Sequence, residues 1–303
     1  MNVISLFNGM GTLRQALENL NIKVDKYYSS EIKPYAIELQ QHHFPDVIQV
    51  GDINNWRKWD IDWETIDFVG SGSPCQDLSI AGKRAGVEKG TRSNLFFTFI
   101  EILKHVKKLK PNVLFLQENV GSADIKDVGN MSRALGVYPV KINSSLVTAQ
   151  LRNRYYWTNI RVKQDGIFGD IVSDIPQPKD KGINFTDIIT SGLVKHEKSS
   201  AIIERTIASA SYKDRTSEKA QRYFQSRVEK RMLSPIYEND LMRLPNKIEL
   251  CRLQGFPDNY CDTVTHVEAG SLLGDGWTLP IIEHILSFLN PNWFSKPKVR
   301  GQK

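Results

Sequence analysis

A cysteine and a glutamate follow two strand-like segments and could act together as a nucleophile and an acid. Cys75 follows Pro74 at the end of a β-like run from Asp67 to Gly72. In its thiolate form a cysteine is a strong nucleophile. Farther along the chain, a second strand-like run ends at Glu118. Ligands of open α/β sheets sit at the carboxyl edge of the strands, so we expect both side chains at one site.

Glycines and acidic residues at three successive strand ends predict a nucleotide site. A glycine loop from Phe7 to Thr12 joins the first strand to the first helix and permits close backbone approach to a ligand. Glu31, after the second strand, could accept hydrogen bonds from both ribose hydroxyls. Asp52, after the third, could accept one from an adenine amino group. Since the loop has no basic residue, S-adenosylmethionine fits it better than NAD or ATP.

Strand-like and helical segments, which must position these residues, alternate along about the first 160 residues. Short apolar runs are separated by helical segments, which we expect from Thr12 to Leu20, after Pro34, and from Leu95 to Lys108. Strands that alternate with helices predict an α/β fold with a doubly wound, mostly parallel, Rossmann-like sheet.

The character of the chain changes after Arg161. Residues 163–240 are polar, basic and weakly periodic, which predicts a small separate lobe. We therefore expect a catalytic and cofactor-binding domain at 1–162, this lobe at 163–240, and a return to the first domain at 241–303. A flexible basic tail is expected from about residue 295.

The formal net charge of +6 is unevenly distributed. Residues 195–231 carry a net +5 and the tail after Phe294 carries +4, which leaves about −3 for the rest. One interpretation is that a polyanion binds at one place. The other is a solvated helical face followed by a frayed tail. Charge alone supports the two equally.

Composition argues against several classes of protein. The three cysteines, Cys75, Cys251 and Cys261, do not have the paired spacing of a disulfide framework or of a zinc site. This pattern fits a reducing cytosol, so we expect a cytoplasmic protein. The six histidines lack ligand spacing, and we predict no metal. No apolar run reaches about 18 residues, and we predict no membrane span.

Six motifs, in order, resemble those of the cytosine-5 DNA methyltransferases. They are Phe7-Asn-Gly-Met-Gly, Pro74-Cys75-Gln76, Glu118-Asn119-Val120, Gln150-Leu-Arg152-Asn-Arg154, the run from Arg243 to Pro257, and Leu273-Gly-Asp-Gly-Trp277. The resemblance covers nearly the whole chain outside 163–240. Some details are similar to the vertebrate de novo branch, and the compact size suggests a prokaryotic or phage enzyme, such as a restriction-modification partner. Asn8 stands where Asp is common, and Asp275 stands where Asn or Arg occurs.

The resemblance implies methyl transfer from S-adenosylmethionine to carbon 5 of cytosine in duplex DNA, with S-adenosylhomocysteine as the product. Cys75 would form a covalent adduct with a flipped base, and residues 163–240 would recognise the target. The implied catalytic residues are Cys75, Glu118, Arg152 and Arg154. The implied cofactor residues are Phe7, Asn8, Gly9, Met10, Gly11, Thr12, Glu31, Ile32, Asp52, Ile53, Leu95 and Trp277. The candidate DNA-binding residues are Ser79, Arg84, Arg92, Arg205, Lys213, Arg215, Arg222 and Arg227.

Three alternative functions remain open at this point. The first is a tRNA cytosine methyltransferase, although residues 163–240 contain no Cys-Phe-Thr signature of that branch. The second is a non-catalytic DNA-binding paralogue, and the third is a thiol hydrolase. Cys75 taken alone would be read as a small core residue. The target sequence is open, as is the choice between monomer and homodimer.

Overall fold

A seven-stranded sheet forms the centre of the protein in the computed structural model, which describes residues 1–74, 94–167, 169–200, 216–230 and 233–290. The strand order is β3-β2-β1-β4-β5-β7-β6. The strands are β1 (Asn2–Leu6), β2 (Lys26–Ser30), β3 (Ile48–Gln49), β4 (Ile66–Ser71), β5 (Leu114–Val120), β6 (Val140–Asn143) and β7 (Asn153–Thr158). The first five pair in parallel, whereas β7 is antiparallel to both β5 and β6.

Helices cover both faces of this sheet, and two short hairpins lie outside it. The helices are α1 (Thr12–Asn19), α2 (Pro34–His43), α3 (Asn94–Leu109), α4 (Ile125–Leu135), α5 (Glu218–Glu229), α6 (Lys247–Gln254), α7 (His266–Asp275) and α8 (Leu279–Leu286). The hairpins pair β8 (Val162–Asp165) with β9 (Asp170–Ser173), and β10 (Ile236–Glu238) with β11 (Leu241–Arg243). The predicted α/β fold with a mostly parallel sheet is confirmed. None of the described helices is long and apolar enough to cross a bilayer.

Alternate strand residues face two separate cores. Val3 and Phe68 pack on one face, with residues of α1 and α8. Their neighbours Ile4 and Val69 pack on the other, with residues of α3 and α4. Side chains alternate between faces along a strand, so apolar residues at consecutive positions require helices on both sides. This explains why the strands read as continuous apolar runs.

The described residues between 163 and 240 contribute to the first of these cores. The buried side chains Phe185, Phe224 and Ile236 belong to the same apolar cluster as Val3. The last helix, α8, packs against α1, so the C-terminal segment returns to the start of the sheet. The division into a catalytic domain, a lobe and a return remains a prediction.

Antiparallel pairing extends β5 beyond its predicted end at Glu118. The strand continues to Val120, which lies opposite Arg154 of β7. Gly121 then approaches β7 closely, since an added Cβ would lie 2.7 Å from the backbone of Asn153. The reversed strand therefore brings Arg154 to the same edge of the sheet as Glu118.

Candidate active site

A cleft with a cavity of about 320 Å³ opens at the carboxyl edge of the sheet. It is lined by the segments that follow β1, β2, β3 and β4, by the end of β5, and by the turn between α7 and α8. The volume lies within the range of small-molecule sites. Pro74, the last described residue before Cys75, lines this cleft.

The loop after β1 turns sharply through three residues with left-handed backbone. The φ angles are 56° at Phe7, 56° at Gly9 and 86° at Gly11. Glycine adopts this conformation without strain, whereas a phenylalanine does so only where the surrounding structure imposes it. The Gly9 N–H donates to Oε2 of Glu31 at 2.8 Å, which ties the loop to the end of β2.

Glu31 is held at the cavity wall by backbone donors. Besides the Gly9 bond, its Oε1 accepts from the N–H groups of Ile32 at 2.8 Å and Lys33 at 3.0 Å. A carboxylate offers about four acceptor positions, so this arrangement fixes the group and leaves capacity for a ligand hydroxyl. Ile32, which also lines the cavity, has 69% of its surface exposed.

A buried polar network supports the glycine loop from behind. Nδ2 of Asn8 donates to Ser29 Oγ at 3.0 Å and to Gln40 Oε1 at 2.9 Å. Oδ1 of Asn8 accepts from the Tyr27 hydroxyl at 2.9 Å. Nε2 of Gln40 donates in turn to the Gly9 carbonyl. Because an Asn amide both donates and accepts, it satisfies partners that a carboxylate at this position could not.

Glu118 is buried, with one donor on each carboxyl oxygen. Nε of Arg154 lies 2.8 Å from Oε1, and Nε1 of Trp277 donates to Oε2 at 3.1 Å. Burial raises the pKa of Glu118 above its usual value, although Arg154, Arg152 and the Trp277 N–H oppose this rise. A buried carboxyl with a raised pKa in a cleft is a candidate general acid.

The two arginines of the Gln150–Arg154 motif have different surroundings. Arg154 pairs with Glu118, whereas Nη2 of Arg152 donates to the carbonyls of Gly274 at 3.0 Å and Gly276 at 2.7 Å. Arg152 is 3% exposed. Its guanidinium therefore holds the turn that leads to Trp277, a contact that the predicted role at the substrate base did not anticipate.

An ion pair bridges the two sides of the cleft. Nζ of Lys33 lies 3.0 Å from Oδ2 of Asp275, and both residues line the cavity. Asp275 is an unusual residue of its motif, whereas Lys33 is not among the predicted site residues. The available signal was the position of Lys33, two residues after Glu31 at a strand end.

Most predicted cofactor residues line the cavity. Those that do are Phe7, Asn8, Gly9, Thr12, Glu31, Ile32, Asp52, Ile53, Leu95 and Trp277. Met10 is instead buried in the core, and its carbonyl accepts from the Tyr260 hydroxyl at 2.8 Å. Gly11 is also not among the lining residues. Asp52 accepts from the backbone N–H of Asn54 at 2.9 Å and caps the turn that follows β3.

Most predicted DNA-binding residues lie outside the described part of the chain. These are Ser79, Arg84, Arg92, Arg205, Lys213 and Arg215, and the predicted nucleophile Cys75 is also outside it. Arg222 and Arg227 lie on α5. Arg222 pairs with Glu218 at 2.7 Å, and the Arg227 guanidinium lies 5.1 Å from the centre of the Tyr223 ring. Within the described residues, no three His, Cys, Asp or Glu side chains could together hold a metal ion.

A family model for the C-5 cytosine-specific DNA methylases matches residues 1–231. The chain belongs to this family. The match includes the glycine loop, the Pro74-Cys75 segment, Glu118 and the arginine motif, and it agrees with the predicted resemblance.

Curated proteins similar to this chain include bacterial and phage methyltransferases. The type II methyltransferase M.NgoBV of Neisseria gonorrhoeae is 39% identical over 128 residues, which are 41% of this chain and 29% of that protein. The orphan methyltransferase M.SPRI of Bacillus phage SPR is 32% identical over 173 residues, 53% of this chain and 38% of its own. M.HpaII of Haemophilus parainfluenzae, a type II methyltransferase, is 33% identical over 196 residues, 61% of this chain and 52% of its own. The matches thus span between 29% and 52% of the length of these relatives.

Solved structures share the fold at lower identity. A Dnmt2 mutant of Spodoptera frugiperda superposes with a TM-score of 0.58 at 17% identity and covers 95% of this chain and 98% of that one. A putative DNA modification methyltransferase from an E. coli prophage gives 0.56 at 18% identity, with coverage of 95% and 98%. At this identity the likeness supports the methylase fold.

Proposed function

We propose that this protein transfers a methyl group from S-adenosylmethionine to carbon 5 of cytosine in duplex DNA. The proposal depends on one observation: Glu118 lies in the same cleft as the glycine loop, Glu31 and Pro74. Its carboxyl is buried, and burial raises its pKa. Family membership and the names of the bacterial and phage relatives point to the same activity.

The cleft residues suit an adenosine-type methyl donor. Glu31 and Asp52 place carboxylates at successive strand ends, and Ile32 and Ile53 add apolar surface beside them. In the proposal, Glu31 accepts a hydrogen bond from a ribose hydroxyl and Asp52 accepts one from the adenine amino group. When bound, S-adenosylmethionine supplies the methyl group.

The chain's own residues would activate the cytosine. Carbon 5 is a weak nucleophile, and addition of the Cys75 thiolate to carbon 6 would make the ring electron-rich at carbon 5. Glu118 would give a proton to ring N3 and so stabilise the adduct, and Arg154 would hold the O2 side of the base. After methylation, the carbon-5 proton passes to water, Cys75 leaves as a thiolate, and the N3 proton returns to Glu118, which restores both the aromatic ring and the enzyme.

This chemistry requires a base outside the helical stack. A stacked cytosine does not expose carbon 6 to a thiolate, so the base must be flipped into the cleft at a cost of a few kcal/mol. We propose that residues 163–240, with Arg222 and Arg227 on α5, bind the duplex around the flipped base. Within this segment, residues 195–231 carry a net charge of +5, which suits phosphate contacts.

The test is transfer of labelled methyl groups to duplex DNA and to tRNA in parallel. We expect label in duplex DNA, its loss in Cys75→Ala, and normal transfer by Cys251→Ala, which removes a buried thiol of α6. Label confined to tRNA would favour the RNA branch. DNA binding without label in either substrate would favour a non-catalytic paralogue. Either outcome would contradict the proposal.

A further inference from the structure

We propose that Trp277 is a positioning residue that orients the carboxyl of Glu118 toward the cleft. This inference rests on the proposed function, since it concerns how Glu118 presents its proton to the substrate base. The two residues are 159 positions apart in sequence, and the bond between Trp277 Nε1 and Glu118 Oε2 is buried.

Both hydrogen-bond partners of Glu118 can only donate. An indole N–H and a guanidinium N–H have no lone pair with which to accept a proton. Trp277 holds Oε2 and Arg154 holds Oε1, so the proton of a neutral Glu118 carboxyl finds no acceptor in either residue. The acceptor must therefore come from the open side, where Glu118 lines the cavity. A ring nitrogen of a base in the cleft meets this requirement.

The position of the indole is set by its close approach to Gly72 and by the anchored turn that carries it. An added Cβ on Gly72 would lie 2.7 Å from Nε1 of Trp277, so the close approach requires glycine. Nη2 of Arg152 donates to the Gly276 carbonyl, which anchors the turn directly before Trp277. Gly72 lies three residues before Cys75 in the chain. One aromatic side chain thus connects the acid to the segment that leads to the nucleophile.

The charged and titratable groups that face Glu118 determine how its pKa should respond when the Trp277 indole N–H is removed. These groups are Arg154 and Arg152, which favour the ionised carboxylate, and the buried Tyr156 phenol. The Trp277 N–H also favours the carboxylate. Its removal should therefore raise the pKa of Glu118 and loosen the carboxyl at the same time.

The experiment compares Trp277→Phe with Trp157→Phe. Trp157 is a matched control, because its buried indole N–H donates to Ser132 Oγ at 2.9 Å away from the cleft. We would titrate the side-chain carboxyls by carbon-13 NMR in ligand-free protein and assign Glu118 with Glu118→Gln. We expect the Glu118 titration to move to higher pH in Trp277→Phe and to stay unchanged in Trp157→Phe.

Turnover gives a second readout. In Trp277→Phe we expect kcat for methyl transfer to fall by about tenfold, as for a misplaced acid. The basic limb of the pH profile of kcat should move to higher pH. Gly72→Ala keeps the indole but displaces it, and it should change kcat and the Glu118 titration in the same direction. This variant replaces Trp277→Phe in the experiment if Trp277→Phe does not fold.

Three results separate the possible failures. An unchanged Glu118 titration in both Trp277→Phe and Gly72→Ala would overturn the inference. So would an increase in KM for S-adenosylmethionine with kcat and titration unchanged, since Trp277 would then act through the cofactor alone. If the unaltered protein transfers no methyl group, the proposed function fails, while the NMR titration still tests the bond between Trp277 and Glu118.

Discussion

Asn8→Asp should destabilise this protein, although aspartate is common at that position in the family it resembles. The change replaces a group that donates to Ser29 Oγ and Gln40 Oε1 with one that only accepts. Neither neighbour can easily compensate. Ser29 Oγ already donates to Gln40 Oε1 at 2.7 Å, and the amide nitrogen of Gln40 is bonded to the Gly9 carbonyl.

The magnitude follows from the two lost bonds. Ser29 Oγ loses the donor that Asn8 supplied, and Gln40 Oε1, which still accepts from Ser29 Oγ and from Gln49 Nε2 at 3.0 Å, faces a buried carboxylate oxygen in place of an N–H. At about 1–3 kcal/mol for each of the two sites, the free energy of unfolding should fall by about 2–6 kcal/mol at neutral pH. Burial among acceptors should raise the pKa of the introduced carboxyl above its unfolded value. The loss of stability should therefore be full above that raised pKa and shrink as pH falls through it.

Urea unfolding followed by tryptophan fluorescence at several pH values measures both effects. Asn55→Asp is the matched control, because it introduces the same charge at an exposed position, and it should change stability by less than about 0.5 kcal/mol. We also expect weaker binding of S-adenosylhomocysteine, since Gln40 holds the glycine loop. Equal stability of Asn8→Asp and the unaltered protein at neutral pH would refute the reasoning.

Three further predictions concern the acid, the sheet and a buried ion pair. Glu118→Gln should lower the rate of methyl transfer by about 100-fold or more, and initial rates within threefold of the parent would contradict its role. Gly121→Ala should destabilise the protein by about 1–3 kcal/mol, because the new methyl group meets the backbone of β7. Gly129→Ala in α4 should instead stabilise the protein by about 0.5–1 kcal/mol. Thermal unfolding of the two variants tests both values. Burial alone would raise the pKa of Glu249, but hydrogen bonds from Arg243 and backbone N–H groups hold it below its usual value. Its contribution to stability is therefore present above about pH 4.3 and lost as pH falls through the folded pKa, so urea midpoints of Glu249→Gln should fall less steeply in acid.

The predicted fold and most of the site followed from local patterns. Apolar runs that end at Gly9, Glu31 and Asp52 indicated parallel strands with a ligand edge, because strand ends in such sheets meet at one edge. The helices that begin near Thr12 and Leu95 were predicted to within one residue of their observed starts. These features depend on neighbours in sequence, which is why the sequence alone predicts them.

Other features required the tertiary structure. The antiparallel direction of β7 depends on its pairing with β5 and β6, and no local pattern marks it. The roles of Arg152 and Arg154 differ although they are two residues apart, because Arg152 precedes β7 and its guanidinium binds the turn between α7 and α8, whereas Arg154 lies within β7 opposite Val120 and pairs with Glu118. Both arginines are predicted as substrate contacts from the motif, and only their hydrogen-bond partners in the structure distinguish them.

Residue types and their order determined the kind of chemistry that this protein can perform, since a thiol, a carboxyl and a glycine loop at strand ends are local facts of the chain. The environment of Glu118 was decided by tertiary structure alone. Its burial, its pairing with Arg154 and its bond to Trp277 join segments far apart in sequence. Hydrogen bonds and desolvation depend on distances in space, and packing of the whole chain sets those distances.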